Sequence, residues 1–516
     1  MKSLLAALLP LIIISCSTGT SMRIFNYTEK TTSLPAPTAE QLPSAWKGFN
    51  LLNFFYMGDS RQGDFVEEEF KMISQWGFNF VRVPIDYRLL IKFNNWNNID
   101  ENAMRRLDKA VEYGIKYDIH ISLNFHRAPG YTVASPPEKT NLWTDEKPQQ
   151  AFADLWAYFA ERYKNIPNEF LSFNLLNEPA NVDEAAYAAV VKKAADAIWA
   201  QDPGRLIIAD GLEWGTLPSG IIKGFGIAQA ARGYQPFTLT HYKAEWVEGS
   251  GNYFTPTWPV TVIPQHLYSV TKTEVPWSAY SIEHDFNEDY YLDVNVGVVS
   301  HRARLVVKAD NAIIFDRMFA SDAGKGEWTT EVFARQWNIY QNIFNRDYRV
   351  RIPSGTKLLT LEVTEGDWMS VNDMKFSPAA GSGINFSVTP NNSEWGLKIP
   401  PVKISAGGII TSQGVLLDRA WLFENNFKKW KEFMDNGGGA MVGEWGAYNK
   451  TPHDVVLRWM EDCLEIFKEL NMGWALWNFT GSIGILNSER ADVEYENFNG
   501  YKLDRKMLDL LLKYLD

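Results

Sequence analysis

Short apolar strands alternate with amphipathic helices at both ends of this chain, and a β-rich stretch separates the two parts. From Trp46 onward five or six strand–helix units follow one another, and two more follow Leu416. Strands that read as continuous apolar runs are typical of a parallel sheet buried on both faces. Because the units before and after the break together complete eight, the sequence predicts an α/β fold, a (β/α)8 TIM barrel.

The stretch between Trp246 and about Pro400 has a different pattern. Its apolar and polar residues alternate over residues 290–299, 303–315 and 357–363, and Gly, Asn, Asp and Pro interrupt these segments. This pattern predicts an antiparallel β-sandwich, inserted after the sixth barrel strand. We therefore expect a first barrel part at residues 44–252, the inserted module at residues 253–400, and a second barrel part at residues 401–516.

The amino terminus resembles a bacterial lipoprotein signal. Lys2 precedes an apolar run that is too short to cross a bilayer, and Ser15-Cys16 follows it. We expect a signal peptide at residues 1–16, a lipid on Cys16 that anchors the protein in the membrane, and a polar tether at residues 17–43. The expected location is the bacterial cell envelope, as an outer-membrane lipoprotein or a secreted protein. The other reading is an ordinary signal peptide with a cysteine there by chance.

The overall charge and composition exclude some classes of ligand. The net charge is −12, and so acidic a surface repels phosphate backbones, which argues against nucleic-acid binding. Two cysteines and scattered histidines form no metal-ligand pattern, so we expect neither a metal nor a cofactor. Aromatic residues make up 14% of the chain. They are needed either for large cores or for stacking on sugar rings.

Polar and aromatic residues follow several of the predicted barrel strands. In a TIM barrel the active site lies where the carboxyl ends of the strands meet, so these residues are expected to share one site. They are Arg82, His126-Arg127, Asn177-Glu178, a region with tyrosine and histidine near the sixth strand, Glu444 and Trp477.

Two of these strand-end residues, Glu178 and Glu444, are carboxylic acids. Hydrolysis of a glycosidic bond needs one carboxylic acid to protonate the leaving oxygen and a second carboxylate beside the anomeric carbon. We therefore predict a glycoside hydrolase that acts on a polysaccharide or oligosaccharide.

Four motifs at these strand ends resemble glycoside hydrolase family five, the cellulase family of clan A. They are residues 173–179, which end in Asn177-Glu178-Pro179, residues 442–446 around Glu444, Arg82-Val83-Pro84, and Trp477-Asn478-Phe479. The resemblance covers both barrel parts and not the inserted module.

The resemblance implies a retaining, cellulase-like mechanism with a role for each matching residue. Glu178 corresponds to the acid/base, and Glu444 to the nucleophile. The others correspond to residues that bind the substrate or hold the nucleophile: Asn177 at the sugar 2-hydroxyl, Arg82 at the nucleophile, His126 in the −1 subsite and Trp477 beneath the −1 sugar.

The sixth strand departs from the family pattern, which has a histidine two residues before a tyrosine. If Tyr234 is that tyrosine, it would hydrogen-bond Glu444 and Arg232 would take the place of the histidine. If the strand lies later, His241 would take that place. An arginine beside Glu178 is expected to lower the pKa of that carboxyl group and to oppose its action as an acid.

The inserted module leaves further readings open. Its aromatic residues either bind carbohydrate or pack its core and its seam with the barrel. Because it follows the sixth strand on the active-site face, it would favour exo-action on a short or furanose-type glycan if it closed one end of the cleft. A non-catalytic glycan-binding lipoprotein is the alternative from another class, although both carboxylates and their supporting residues argue against it.

Overall fold

The structure, a computed structural model, describes residues 37–59, 62–321, 323–324, 326–334, 337–381, 383–412 and 414–515. The predicted signal peptide, Cys16 and most of the predicted tether lie outside these residues. Within the described ranges, no helix combines the length and the apolar character that a membrane crossing requires.

Eight parallel strands of the described chain form a closed barrel. The strands are β1 (Lys47–Asn50), β2 (Phe80–Asp86), β3 (His120–Ala128), β4 (Leu171–Asn174), β5 (Ile207–Asp210), β6 (Ala228–Gly233), β7 (Ala440–Trp445) and β8 (Gly473–Leu476). Their order is β2-β1-β8-β7-β6-β5-β4-β3, and pairing of β2 with β3 closes the ring. Nearly every strand residue is buried, as the continuous apolar runs predict. The predicted barrel is confirmed.

Helices surround the barrel and link successive strands. The long ones are α1 (Glu67–Gln75), α2 (Glu101–Tyr117), α3 (Glu146–Tyr163), α4 (Glu184–Gln201), α5 (Lys428–Asp435), α6 (His453–Glu469) and α7 (Arg505–Lys513), and shorter turns lie at Tyr87–Leu90, Leu212–Gly215, Gly220–Lys223, Phe237–Thr240, Ser250–Asn252, Arg419–Leu422 and Phe423–Phe427. Aspartate side chains cap several amino termini. Asp183, for example, accepts a hydrogen bond from the Ala186 backbone at the start of α4.

The insertion after β6 is a mostly antiparallel sheet, as predicted. Nine strands of its described part form one hydrogen-bonded sheet: His266–Tyr268, Ala279–Glu283, Tyr290–Ala309, Ala312–Ala320, Phe333–Ala334, Ile339–Ile352, Leu358–Pro378, Phe386–Val388 and Val402–Lys403. The two longest, Tyr290–Ala309 and Leu358–Pro378, pair with each other through several register shifts. Such shifts bend strands, and the sheet encloses an apolar core separate from that of the barrel.

Short paired strands and buried side chains join the insertion to the barrel. Val260–Val262 pairs with Val415–Leu417, so the entry and the exit of the insertion lie side by side. The buried Glu394 carboxylate accepts hydrogen bonds from the backbone of Phe237 and Thr238, in the turn after β6. The inserted sheet is therefore fixed close to the carboxyl end of β6. Other short strand pairs in the chain are Tyr131–Thr132 with β3, and Glu496–Phe498 with Tyr501–Leu503.

Candidate active site

The predicted strand-end residues come together at the carboxyl end of the barrel. Arg82, His126, Arg232 and Glu444 lie within β2, β3, β6 and β7. The other residues lie just beyond strand ends: Asn177 and Glu178 after β4, Tyr234 after β6 and Trp477 after β8. Hydrogen bonds link Arg82 with Glu444 and Asn177, Arg232 with Glu178 and Asn177, and Tyr234 with Glu444, while a ring contact links His126 with Trp477.

Glu444 is buried among donors. Its Oε1 accepts a hydrogen bond of 2.5 Å from Arg82 Nη1 and lies 3.2 Å from Arg232 Nη2. Its Oε2 accepts from the Tyr234 hydroxyl at 3.2 Å. Only 2% of the residue is exposed. Two guanidinium groups and a hydroxyl thus stabilise a negative charge on this carboxylate.

Three asparagines hold Arg82 in its orientation. Arg82 Nε donates to Asn174 at 2.7 Å, Nη1 to Asn50 at 3.0 Å, and Nη2 to Asn177 at 2.9 Å. Asn50 in turn donates to the backbone carbonyl of Gly443, next to Glu444. Each guanidinium nitrogen of Arg82 donates to the side-chain oxygen of an asparagine. The orientation of the guanidinium group towards Glu444 is therefore fixed.

The backbone of Glu178 is held in an unusual conformation. Its φ is +47°, in the left-handed region that residues other than glycine seldom adopt. Its backbone N–H donates to Asp210 at 2.9 Å, and its carbonyl accepts from the Tyr131 hydroxyl at 2.6 Å. Strain of this kind persists where surrounding contacts determine the backbone, and it is typical of active sites.

The carboxyl group of Glu178 is 15% exposed, and Arg232 Nε donates to it at 3.2 Å. Burial, followed by the nearby negative charge of Glu444, raises the pKa of Glu178 to about 8. The group is therefore largely protonated at neutral pH. Such a group can act as an acid.

The sequence predicts that Arg232 lowers the pKa of Glu178 and opposes its action as an acid. The charge of Arg232 does act in that direction, but burial and Glu444 outweigh it. Arg232 also makes a direct ion pair with Asp210, whose own charge acts in the opposite direction on Glu178. The charges of Arg232 and Asp210 therefore have opposing effects on the pKa of Glu178.

Asp210 is the main site residue that the sequence analysis missed. It ends β5, is fully buried, and accepts hydrogen bonds from Arg232, from Asn174 at 2.9 Å and from the Glu178 backbone. It also lies 3.9 Å from Arg82. The signal was available, because an aspartate directly follows the apolar run of the fifth strand, as Glu178 and Glu444 follow theirs.

The structure places Arg232, and not His241, beside the two carboxylates. Arg232 contacts both Glu178 and Glu444 from β6. His241 lies after the turn that follows β6, where its ring stacks on Phe237 at 3.8 Å and its Nδ1 contacts the Thr240 hydroxyl. Its ring also contacts that of Tyr234, at 5.3 Å between the centroids.

Aromatic rings line the side of the site formed by β1, β3 and β8. His126 lies 4.6 Å from Phe55 and 5.5 Å from Trp477, and Phe55 lies 5.2 Å from Trp477. Burial and the nearby arginines lower the pKa of His126, so its imidazole is neutral at physiological pH. Phe55 was not found from the sequence because it lies in the loop beyond β1 and carries no polar group.

Two buried polar atoms near the carboxylates have no hydrogen-bond partner in the part of the chain that the structure describes. They are Nδ2 of Asn177 and Nδ1 of His126. An unpaired buried donor is costly unless a ligand satisfies it. The described residues contain no cluster of three or more His, Cys, Asp or Glu side chains suited to a metal ion. The site therefore offers charged groups, hydrogen-bond donors and aromatic faces.

Comparisons with known proteins agree with this geometry. The family described as Cellulase (glycosyl hydrolase family 5) matches residues 38–291, which include β1 to β6 and Glu178. Endoglucanase C of Acetivibrio thermocellus is 30% identical over 193 residues, 36% of this chain and 55% of that protein. Cellodextrinase A of Ruminococcus flavefaciens is 32% identical over 136 residues, 26% of this chain and 40% of that protein. The chain thus spans about half the length or less of these relatives.

Solved structures share the fold over most of the chain. A crystal structure of a glycoside hydrolase matches with a TM-score of 0.58 and 24% identity, over 91% of this chain and 98% of that one. Endoglucanase Cel5A from Thermotoga maritima matches with a TM-score of 0.51 and 16% identity, over 91% and 97% of the two chains. At this identity the likeness concerns the fold alone. The matched family and the site motifs together place residues 38–291 of this chain in glycosyl hydrolase family 5, the cellulase family.

Proposed function

We propose that this protein is a retaining glycoside hydrolase that cleaves β-glucan chains, with Glu444 as nucleophile and Glu178 as acid/base. One observation carries the proposal: two carboxyl groups contact the same guanidinium group, that of Arg232, yet have opposite surroundings. Glu444 is held by cations and a hydroxyl, whereas the pKa of Glu178 is raised to about 8. A nucleophile that is ionised and an acid that is protonated at the same pH are what the retaining reaction needs.

The first step forms a bond between enzyme and sugar. Oε of Glu444 attacks the anomeric carbon, the glycosidic C–O bond breaks, and the Glu178 proton passes to the leaving oxygen. In the second step Glu178, now a carboxylate, takes a proton from water. The resulting hydroxyl attacks the anomeric carbon, and Glu444 leaves as a carboxylate. Two inversions give net retention of configuration.

The charge on Glu444 links the two roles of Glu178. In the free enzyme this charge is a leading cause of the raised pKa of Glu178. Once Glu444 is esterified the charge is gone, so the pKa of Glu178 falls and its carboxylate form becomes stable. The acid of the first step thereby becomes the base of the second.

The relatives suggest the substrate class. Those named above are an endoglucanase and a cellodextrinase, which points to β-linked glucose for this chain. The aromatic side of the site, with Trp477, Phe55 and His126, suits the apolar face of a glucose ring. The unpaired Asn177 amide next to Arg82 can donate to a sugar hydroxyl.

The stereochemistry of the first product tests the reaction. We expect the purified protein to hydrolyse barley β-glucan or carboxymethyl cellulose, and we expect proton NMR of early time points to show the β-anomer before mutarotation. Glu444→Gln, purified in the same way, controls for contaminating enzymes. An α-anomer as first product would contradict the assignment of Glu444.

The same reaction mixtures distinguish the other readings. Size-exclusion chromatography shows a rapid fall in chain length for mid-chain cleavage, whereas an exo-acting enzyme releases single sugars and leaves the polymer long. Binding of glucan without hydrolysis by the wild type, in a panel that also contains mannan, xylan and arabinan, would favour the non-catalytic glycan-binding protein.

We also propose that Cys16 carries a lipid that anchors the protein in the bacterial envelope. The support is the order of Lys2, the apolar run and Ser15-Cys16. When the full chain is expressed in a bacterium fed an alkynyl palmitate, we expect labelled protein in the membrane fraction and no label on Cys16→Ala. Equal labelling of both proteins would contradict the anchor.

A further inference from the structure

A turn of the inserted sheet reaches the active-site face of the barrel. Trp337 lies between the paired strands Phe333–Ala334 and Ile339–Ile352. Its ring centroid lies 6.4 Å from that of Trp214, with 67° between the ring planes. Trp214 belongs to the barrel, in the loop that follows β5. The two indoles therefore form a corner to which both domains contribute.

This corner is directly connected to the acid/base. The Trp214 backbone N–H donates to the carbonyl of Pro179 at 3.3 Å, and Pro179 follows Glu178 in the chain. Glu213 and Trp214 both have positive φ, +48° and +56°. Two consecutive residues other than glycine in this region cost energy, and such strain is retained where it positions a functional group. The loop thus holds the Trp214 backbone against Pro179, the residue that follows Glu178.

The position of the corner in the ring decides which part of a substrate it can meet. The loop after β5 lies across the ring from Phe55, which follows β1, and from Trp477, which follows β8. Phe55, Trp477 and His126 line the far side of the site. Because the acid/base protonates the leaving oxygen, the sugar beyond that oxygen lies on the Glu178 side. The corner is on this side.

Most other aromatic side chains of the insertion are used for packing. Trp258 is buried in the barrel core and donates to Asp462 at 2.8 Å, and Trp368 packs against Trp395. Trp337 and Trp395 are similarly exposed, at 48% and 46%. The ring contacts of Trp395 lie within the insertion, whereas Trp337 contacts Trp214 of the barrel. An indole held at its edge by another indole keeps a face open for a ligand.

We propose that Trp337 and Trp214 together form a subsite that stacks on a glucose unit of the leaving group. This inference rests on the proposed function and extends it, because it gives the inserted sheet a share in the active site. Indole faces suit the apolar C–H faces of a pyranose, and two rings at a steep angle contact a face and an edge of one sugar. The ligand is the reducing-end part of a β-glucan chain.

Paired substrates with and without a leaving-group sugar test the subsite. We compare kcat/KM of wild type and Trp337→Ala on cellohexaose and on β-cellobiosyl fluoride, whose leaving group is a fluoride ion. We expect about a tenfold loss on cellohexaose and no change on the fluoride, because only the first substrate has a sugar to stack. Trp337→Phe, which keeps an aromatic face, should recover most of the loss.

The matched control is Trp277→Ala, which removes another exposed tryptophan of the insertion. It should behave like the wild type on both substrates. Equal losses for Trp337→Ala on both substrates, no loss on either, or the same loss for Trp277→Ala would overturn the subsite while the proposed function stands. Wild-type protein that cleaves neither substrate would overturn the proposed function, and the subsite with it.

Discussion

Replacing Glu444 with alanine is expected to lower kcat on β-glucan on the order of 10⁶-fold, the scale seen when a covalent nucleophile is removed. The carboxylate is the group that Arg82, Arg232 and Tyr234 surround, and no other described carboxylate has this set of donors. Azide is small enough to occupy the space left by the side chain. With β-cellobiosyl fluoride as donor, we expect azide to restore turnover and to give the α-glycosyl azide, since one displacement inverts the configuration.

Product configuration, read by NMR, decides this prediction. Glu424→Ala, at an exposed glutamate paired with Lys428, is the matched control and should retain wild-type activity without azide. A β-glycosyl azide from Glu444→Ala would mean that another group still forms the covalent intermediate. Activity of Glu444→Ala close to the wild-type value would remove the nucleophile role altogether.

Replacing Glu178 with glutamine is expected to lower kcat on β-glucan by about 10²- to 10⁴-fold, the usual contribution of a general acid. Cleavage of β-cellobiosyl fluoride should suffer less in the first step, because fluoride needs little help from an acid to leave. Glutamine preserves the size of the side chain and can still accept from Arg232, so the loss reports proton transfer and not packing.

The pH dependence of kcat/KM tests the role of Glu178 independently. Glu178 must be protonated to act as the acid, and burial together with Glu444 raises its pKa to about 8. The kcat/KM of the wild type on β-glucan should therefore fall as the pH rises through about 8, and this limb should be absent in Glu178→Gln. A basic limb that is identical in both proteins would assign it to another group.

The sequence predicted which side chains meet in the candidate site because the fold itself aligns strand ends. Once alternating strands and helices indicate a closed parallel barrel, Arg82, Glu178 and Glu444 must lie at the same end of the barrel, although they are far apart in the sequence. Asp210 escaped notice for a local reason. Asp210 follows the apolar run of the fifth strand, but it belongs to none of the four motifs that resemble the family.

The electrostatic balance could not be predicted from the sequence. The prediction that Arg232 lowers the pKa of Glu178 took into account only the charge of this one neighbour. In the folded protein the pKa of Glu178 depends on burial and on several charges, including those of Asp210 and Glu444, and these outweigh the arginine. The combined effect of these charges on the pKa depends on distances between residues on different strands. Strand-end motifs do not specify those distances. The same holds for the contact of Trp337 with Trp214.

The place of the insertion also determines when the barrel can close. Synthesis runs from the amino terminus, so β1 to β6 emerge first, and the partner of both open edges, the β7–β8 pair, emerges only after the whole inserted sheet. Until then the edges of β1 and β6 lack their neighbours. Closing a ring across so long a connection costs chain entropy, but pairing of Val260–Val262 with Val415–Leu417 joins the two ends of the insertion and shortens the effective connection. Assembly of the inserted sheet thereby brings β7, the strand that carries Glu444, close to the open edge of β6.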